Sequence, residues 1–201
     1  SLDGLEGFDI KDKTLGVIGA GNIGQRVIKI AKGFEMNVIA FNNSKDKKLA
    51  KEIGFKYVDL NYLLKNSDII TLHLPLLPQT KHIIKLIKKG AYLINTARGG
   101  LIDTRALVYA LDKHILSRVA LDVLENEDDI REESQMLRVK SLSSNQMKTF
   151  IENHKLLKDK DVIVTPHSAF YTREAETRIL DTTIGNVNSK GKTNSIISKT
   201  L

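Results

Sequence analysis

The chain has 201 residues, 41% of them apolar, with 31 basic against 24 acidic side chains and a net charge of +7. This is enough length and apolar content for one well-packed core, and it excludes a globally disordered chain. The absence of cysteine excludes disulfides, thiolate zinc sites, iron–sulfur clusters and cysteine nucleophiles together. No apolar run approaches the ~20 residues that span a bilayer and no secretory signal opens the chain, so a soluble, cytoplasmic protein without a membrane partner is expected. The positive charge comes from 23 Lys and 8 Arg scattered among few aromatics and no tryptophan, so no nucleic-acid partner is expected either.

Thr14 to Ile18 is a short apolar run ending at Gly19, and Ile23, Val27, Ile28, Ile30 and Ala31 recur behind it at helical spacing. This predicts a strand, a tight turn and a helix. Met36 to Phe41 reads as a second strand, after which Ser44 is placed to cap a short helix to Ile53. Lys56 to Val58 reads as a strand, Asp59 to Lys65 as a helix, and Asp68 to Leu74 as a strong strand ending at Pro75. Next come a helix around Lys81 to Lys88, a strand from Ala91 to Asn95, a helix from Asp103 to Asp112, a strand from Arg118 to Asp122 and a last strand from Asp161 to Thr165.

Near-continuous apolar strands alternating with amphipathic helices predict an α/β fold, a doubly wound parallel sheet covered on both faces. Glu125 to Lys160 departs from the pattern, with six acids by Glu133 and then Ser, Gln, Asn and Lys. It reads as a long, mobile, polar excursion with one helix near Gln146 to Leu157. The expected organisation is one domain over residues 1–187, carrying the excursion at about 125–160, and a disordered tail over 188–201.

Gly19-Ala20-Gly21-Asn22-Ile23-Gly24 fits G-x-G-x-x-G, and it lies after an apolar strand and at the opening of a helix. In that context the motif predicts a Rossmann-type dinucleotide site. Gly19 permits the tight turn, Gly21 lets backbone approach a pyrophosphate, and Gly24 lets the helix sit close to the sheet, with helix amides facing the anion. The competing reading is a glycine turn used only for packing. The end of the second strand carries Asn42 where an acid normally holds the adenosine ribose, with Lys45, Lys47 and Lys48 close behind. Without a carboxylate to repel a 2′-phosphate, NADP is admitted beside NAD; an exposed helix face is the plainer account of the lysines.

Arg98 stands just beyond the strand ending at Asn95 and before Gly99-Gly100, at the sheet edge where ligands bind. Its guanidinium is suited to hold a substrate carboxylate by two parallel bonds, with a surface ion pair as the alternative. His167 follows the last strand at the same edge, and Glu127 follows the strand ending at Asp122. An imidazole beside a carboxylate has its charged form stabilised and its tautomer set, which is acid–base equipment, although a loop histidine without such a role is the rival. His73, late in the fourth strand, reads as lining the cofactor side. No H-x-x-x-H spacing appears, so no metal site is expected.

GVIGAGNIGQRV, SDIITLHLPLLPQT, GAYLINTARGGLID, ALDVLENE and VIVTPHSAF, in this order, resemble the NAD-binding domain of the D-isomer-specific 2-hydroxyacid dehydrogenases over roughly residues 4 to 187. The excursion after ALDVLENED and the stretch TPHSAFYTREA are most similar to D-lactate dehydrogenases. The resemblance implies hydride transfer between NAD(H) and a small D-2-hydroxy acid or 2-oxo acid, in a homodimer. It implies that Arg98 orients the carboxylate, His167 moves the proton and Glu127 supports the imidazolium. Asn22 and Ile23 would touch pyrophosphate, Asn42 the ribose, Pro75 and Thr80 the adenosine side, and Thr96, Ala97 and Asp122 the nicotinamide end. The family forms its substrate domain largely from sequence before the phosphate turn, and only 18 residues precede Gly19, so that domain is expected to be missing here. An NAD(H)-sensing, protein-binding module of the corepressor kind is the alternative that the same residues would also fit.

Overall fold

The structure, a computed structural model, describes residues 7–82, 87–126 and 144–188. β1 (Thr14–Ile18) leads through α1 (Asn22–Gly33), β2 (Asn37–Phe41), α2 (Lys47–Ile53), β3 (Lys56–Tyr57) and α3 (Leu60–Asn66) to β4 (Ile69–Leu72). The second half comprises β5 (Ala91–Asn95), a 3₁₀ turn (Gly99–Leu101), α4 (Thr104–Asp112), β6 (Leu116–Leu121), α5 (Ser144–Lys158), β7 (Val162–Val164) and α6 (Arg173–Asn188). All strand pairs are parallel, in the order β3-β2-β1-β4-β5-β6-β7. The chain winds outward from β1 to β3, returns to the other side of β1, and winds outward again, so a crevice opens above the carboxyl ends of β1 and β4.

The expected doubly wound α/β sheet is therefore found, and its two cores explain the near-continuous apolar strands. Leu15 and Val17 of β1 pack with Ile28 and Ala31 of α1 on one face. Ile18, Ile70, Leu72 and Leu93 pack with Leu63 of α3 and Leu107 and Leu111 of α4 on the other. Side chains alternate along a strand, so a strand buried on both sides must be apolar at every position. Each fully buried Leu or Ile here contributes roughly 1.5–3 kcal/mol relative to leaving it in water. At the amino edge, the Asp68 carboxylate accepts from Thr14 N at 2.8 Å and from Lys88 Nζ at 2.6 Å, tying β1, β4 and the approach to β5 together.

Two expectations change. The cap of α2 is Asp46, whose side chain accepts from Leu49 N at 2.9 Å, while Ser44 accepts from Asn42 instead. The middle of the helix expected around Lys81 to Lys88, residues 83–86, lies outside the described residues. Just before them, Lys81 N donates to Leu77 O, and His82 has a φ of 50° and sends its N–H to Gly100 O at 3.1 Å. The helix expected near Gln146 to Leu157 is α5, whereas α6 has no counterpart in the sequence reading. Ile179, Leu180 and Ile184 of α6 are all exposed, Leu180 to 61%. Residues 127–143 of the expected excursion, and the tail beyond 188, lie outside the described residues. Among the described residues no helix is long and apolar enough to cross a membrane.

Candidate active site

The glycine turn sits over the β1–β4 crevice. Gly19 N donates to Phe41 O at 2.9 Å and His73 N to Ile18 O at 2.8 Å, so the ends of β1, β2 and β4 are stitched together around the turn. Gly19 has a φ of 102°, a conformation that side chains rarely adopt. A Cβ on Gly24 would collide with the Gly19 carbonyl, so that glycine is required by the protein's own packing. Gly21 is different: no heavy atom lies within 4 Å of where its Cβ would be. It caps α1 without a side chain, and the first turn of α1 contains no acid. Open space above a helix N-terminus suits a diphosphate, and these residues fit a dinucleotide.

Asn42 follows β2, and its Nδ2 donates to the Ser44 carbonyl at 2.8 Å and to Ser44 Oγ at 3.1 Å. The amide hydrogens are thus engaged within their own turn, which leaves Oδ1 as the acceptor for a ribose hydroxyl. Lys45, Lys47 and Lys48 are exposed. Across the crevice, burial pushes the His73 imidazole down to about 4, and Thr71 Oγ1 lies 3.0 Å from its Nε2. His73 is therefore a neutral ring, in keeping with a lining role. Pro75 is exposed, and Thr80 is buried with its hydroxyl donating to Pro75 O at 2.7 Å and accepting from Leu77 N at 2.8 Å. That hydroxyl shapes the Pro75–Thr80 loop from within.

Three neighbouring strands then deliver side chains to the same edge. Buried Asn95, at the end of β5, accepts from Ala97 N at 3.0 Å and donates to Arg98 O at 2.9 Å, so it shapes the turn Thr96-Ala97-Arg98 from beneath. Arg98 is exposed, and its Nη1 donates to Ala97 O at 2.7 Å. Asp122, just after β6, is only 4% exposed and accepts from Thr165 Oγ1 at 2.6 Å, Ser168 N at 2.8 Å and Ala169 N at 2.9 Å. Burial pushes this carboxyl up, but the hydrogen bonds from Thr165, Ala169 and Ser168 and the facing His167 outweigh it and hold the group below its ordinary range. These donors flank His167, whose φ is 53° and whose ring meets Phe170 edge-on. Asp122 thus holds the loop that presents the histidine. Glu127 lies outside the described residues.

A second cluster stands beside this edge. His82 Nε2 is 2.9 Å from Glu125 Oε1, and its Nδ1 is 3.7 Å from Asp103 Oδ2. Glu125 Oε2 accepts from Thr104 N and Thr104 Oγ1, and the Glu125 carbonyl accepts from Asn153 Nδ2. His82, Asp103 and Glu125 border a cavity of about 220 Å³. Sequence reasoning missed Asn95, His82, Glu125, Thr104 and Asn153. Only Asn95 left a signal, as an amide closing an otherwise apolar strand; the others meet across more than twenty positions of sequence.

The sequence model of the D-isomer specific 2-hydroxyacid dehydrogenase NAD binding domain matches residues 2–169. The chain belongs to this family. It is 42% identical over 190 residues to the D-specific alpha-keto acid dehydrogenase of Enterococcus faecalis, covering 92% of this chain and 54% of that protein. It is 40% identical over 200 residues to the D-lactate dehydrogenase of Escherichia coli, covering 96% and 58%. Among solved structures, D-lactate dehydrogenase from Aquifex aeolicus complexed with NAD and lactic acid superposes with a TM-score of 0.78 at 37% identity, covering 88% of this chain and 53% of that one. The chain therefore spans about half the length of the relatives it matches, and the half it spans is an NAD-binding domain.

Proposed function

We propose that the whole protein containing this stretch is an NAD-dependent D-2-hydroxyacid dehydrogenase interconverting a small 2-oxo acid and its D-2-hydroxy acid, of about the size of pyruvate and lactate. This chain supplies the cofactor half. Bound NAD(H) takes or gives the hydride. Gly21 leaves room for the pyrophosphate at the start of α1, where Asn22, Ile23 and Gly24 offer peptide nitrogens. Asn42 accepts from the ribose, Pro75 and Thr80 border the adenosine side, and Thr96, Ala97 and Asp122 flank the nicotinamide end.

Arg98 holds the substrate carboxylate by a forked pair of bonds, His167 passes the proton to or from the substrate oxygen, and Glu127 supports the imidazolium. The observation that carries this reading is the loop fastened to Asp122, which fixes His167 on the edge that also bears Arg98. The relatives reported above are dehydrogenases, which favours turnover over a corepressor-like module. Residues 1–187 act as one domain, followed by the 188–201 tail. The whole protein is read as cytoplasmic and as a homodimer; for the dimer, the exposed apolar side chains of Ile30 in α1 and of Phe34 just after it are candidates for burial against a second copy. Water exclusion in this chemistry needs a second domain to close over the edge, so this chain alone binds cofactor and turns over little.

The test is steady-state reduction of pyruvate by NADH with a full-length dehydrogenase containing this stretch. His167→Ala should lower kcat by about a hundredfold or more while leaving NADH affinity nearly unchanged. Unchanged turnover would remove the proton role.

A further inference from the structure

We propose that His82 is a positioning residue for Arg98. The inference rests on the reading of Arg98 as the carboxylate-binding cation and concerns what holds that cation in place.

Among the described residues no carboxylate pairs with Arg98, and its guanidinium bonds only the carbonyl of Ala97, the residue before it. The direction of the side chain is therefore set by the turn that carries it, and that turn is gripped from two sides. On one side, Gly99 lies flat against the Leu124–Glu125 peptide, so close that a Cβ would collide with the Leu124 carbonyl. On the other, Gly100 O accepts from His82 N at 3.1 Å. The His82 ring joins the two grips, with Nε2 lying 2.9 Å from Glu125 Oε1. Main chain and side chain of one histidine thus span the Gly99–Gly100 segment from the Pro75–His82 loop to the turn after β6.

Glu125 is a firm anchor for this arrangement. Its other oxygen accepts from Thr104 N at 3.1 Å and Thr104 Oγ1 at 2.9 Å, and its carbonyl accepts from Asn153 Nδ2 at 2.8 Å. Asp103, which caps α4 by accepting from Ala106 N, places a second carboxylate 3.7 Å from His82 Nδ1. His82 itself has a φ of 50°, a conformation unfavourable for a residue with a side chain, and its ring contacts compensate for that strain. Without the ring, the Glu125 side and the loop side of the turn lose their direct link. Arg98 then samples orientations in which its fork no longer meets the substrate carboxylate squarely, and misplacement by an ångström is enough to weaken a bidentate contact.

The experiment compares His82→Ala, His82→Gln and Arg98→Ala in a full-length dehydrogenase containing this stretch, with pyruvate as the probe substrate and NADH dissociation read by fluorescence. The expected result is that His82→Ala raises the KM for pyruvate about tenfold and leaves the NADH dissociation constant within about twofold. His82→Gln, whose amide can donate to Glu125, should recover most of the loss. In the background of Glu125→Ala, removing His82 should add little. If Arg98→Ala raises the pyruvate KM and His82→Ala does not, the positioning role is wrong while the site stands. If pyruvate and NADH binding weaken together in both His82 variants, the residue is structural only and the proposal fails. If Arg98→Ala leaves the pyruvate KM unchanged, the reading of Arg98 itself fails and this inference falls with it.

Discussion

Replacing Asp122 tests how firmly the His167 loop is held. Its carboxylate is buried and accepts three hydrogen bonds from Thr165, Ser168 and Ala169. A hydrogen bond to a charged group contributes roughly 1.5–3 kcal/mol. The three donor residues are themselves exposed, so water takes over part of each bond once the acceptor is gone. The net cost of Asp122→Ala is then about 2–4 kcal/mol, and that of Asp122→Asn, which keeps the shape but turns one acceptor into a donor, about 1–2 kcal/mol. In urea, with a slope of about 2 kcal/mol/M, the alanine variant should unfold at a midpoint lower by about 1–2 M. The folded-state carboxyl lies below its ordinary range, so its contribution is fully present above the unfolded value of about 3.9 and is lost as pH falls through the lower folded value. The gap between wild type and Asp122→Asn should therefore be constant from about pH 7 to 5 and close below about pH 4. Equal stability at neutral pH, or a gap that widens on acidification, would refute the argument.

Gly21→Ala should leave stability within about 1 kcal/mol, the scale of a changed helix cap, yet weaken NADH binding at least about tenfold, because the added methyl enters space that the diphosphate needs. Gly24→Ala, by contrast, should destabilise the fold outright; equal effects on stability in denaturant titrations would deny the distinction. NADP(H) should bind within about tenfold of NAD(H), and Asn42→Asp should shift the ratio toward NAD(H) by restoring a carboxylate against the 2′-phosphate. A wild-type preference for NAD(H) beyond about a hundredfold in fluorescence titration counts against the role given to Asn42. Asp68→Asn should lower stability by about 1 kcal/mol at neutral pH. Burial pushes the Asp68 carboxyl up, but Lys88, Thr14 and Lys13 outweigh it and hold the group low, so this difference should fade as pH falls below the ordinary carboxylate range. Urea curves at a series of pH values measure it.

Much of the scaffold was readable because its signals are local. The run Thr14–Ile18, the glycines behind it and the caps Asp59 and Asp103 each declare their structure within a few residues. The supports of the site are not local. Asp122 bonds residues 43 to 47 positions away, and Glu125 meets His82 across 43. No periodicity records such meetings, so Asp122 was legible only as a cofactor neighbour and Glu125 only as one acid among six.

The last helix has a practical consequence. A sixteen-residue helix with Ile179, Leu180 and Ile184 all turned to water gives this half-length chain a greasy flank. Excluded salts such as sulfate strengthen the drive to hide such surface, so the isolated stretch should precipitate from them well before an ordinary domain of its charge. Cofactor titrations on it are best run in dilute chloride, where the excess of lysine keeps molecules apart.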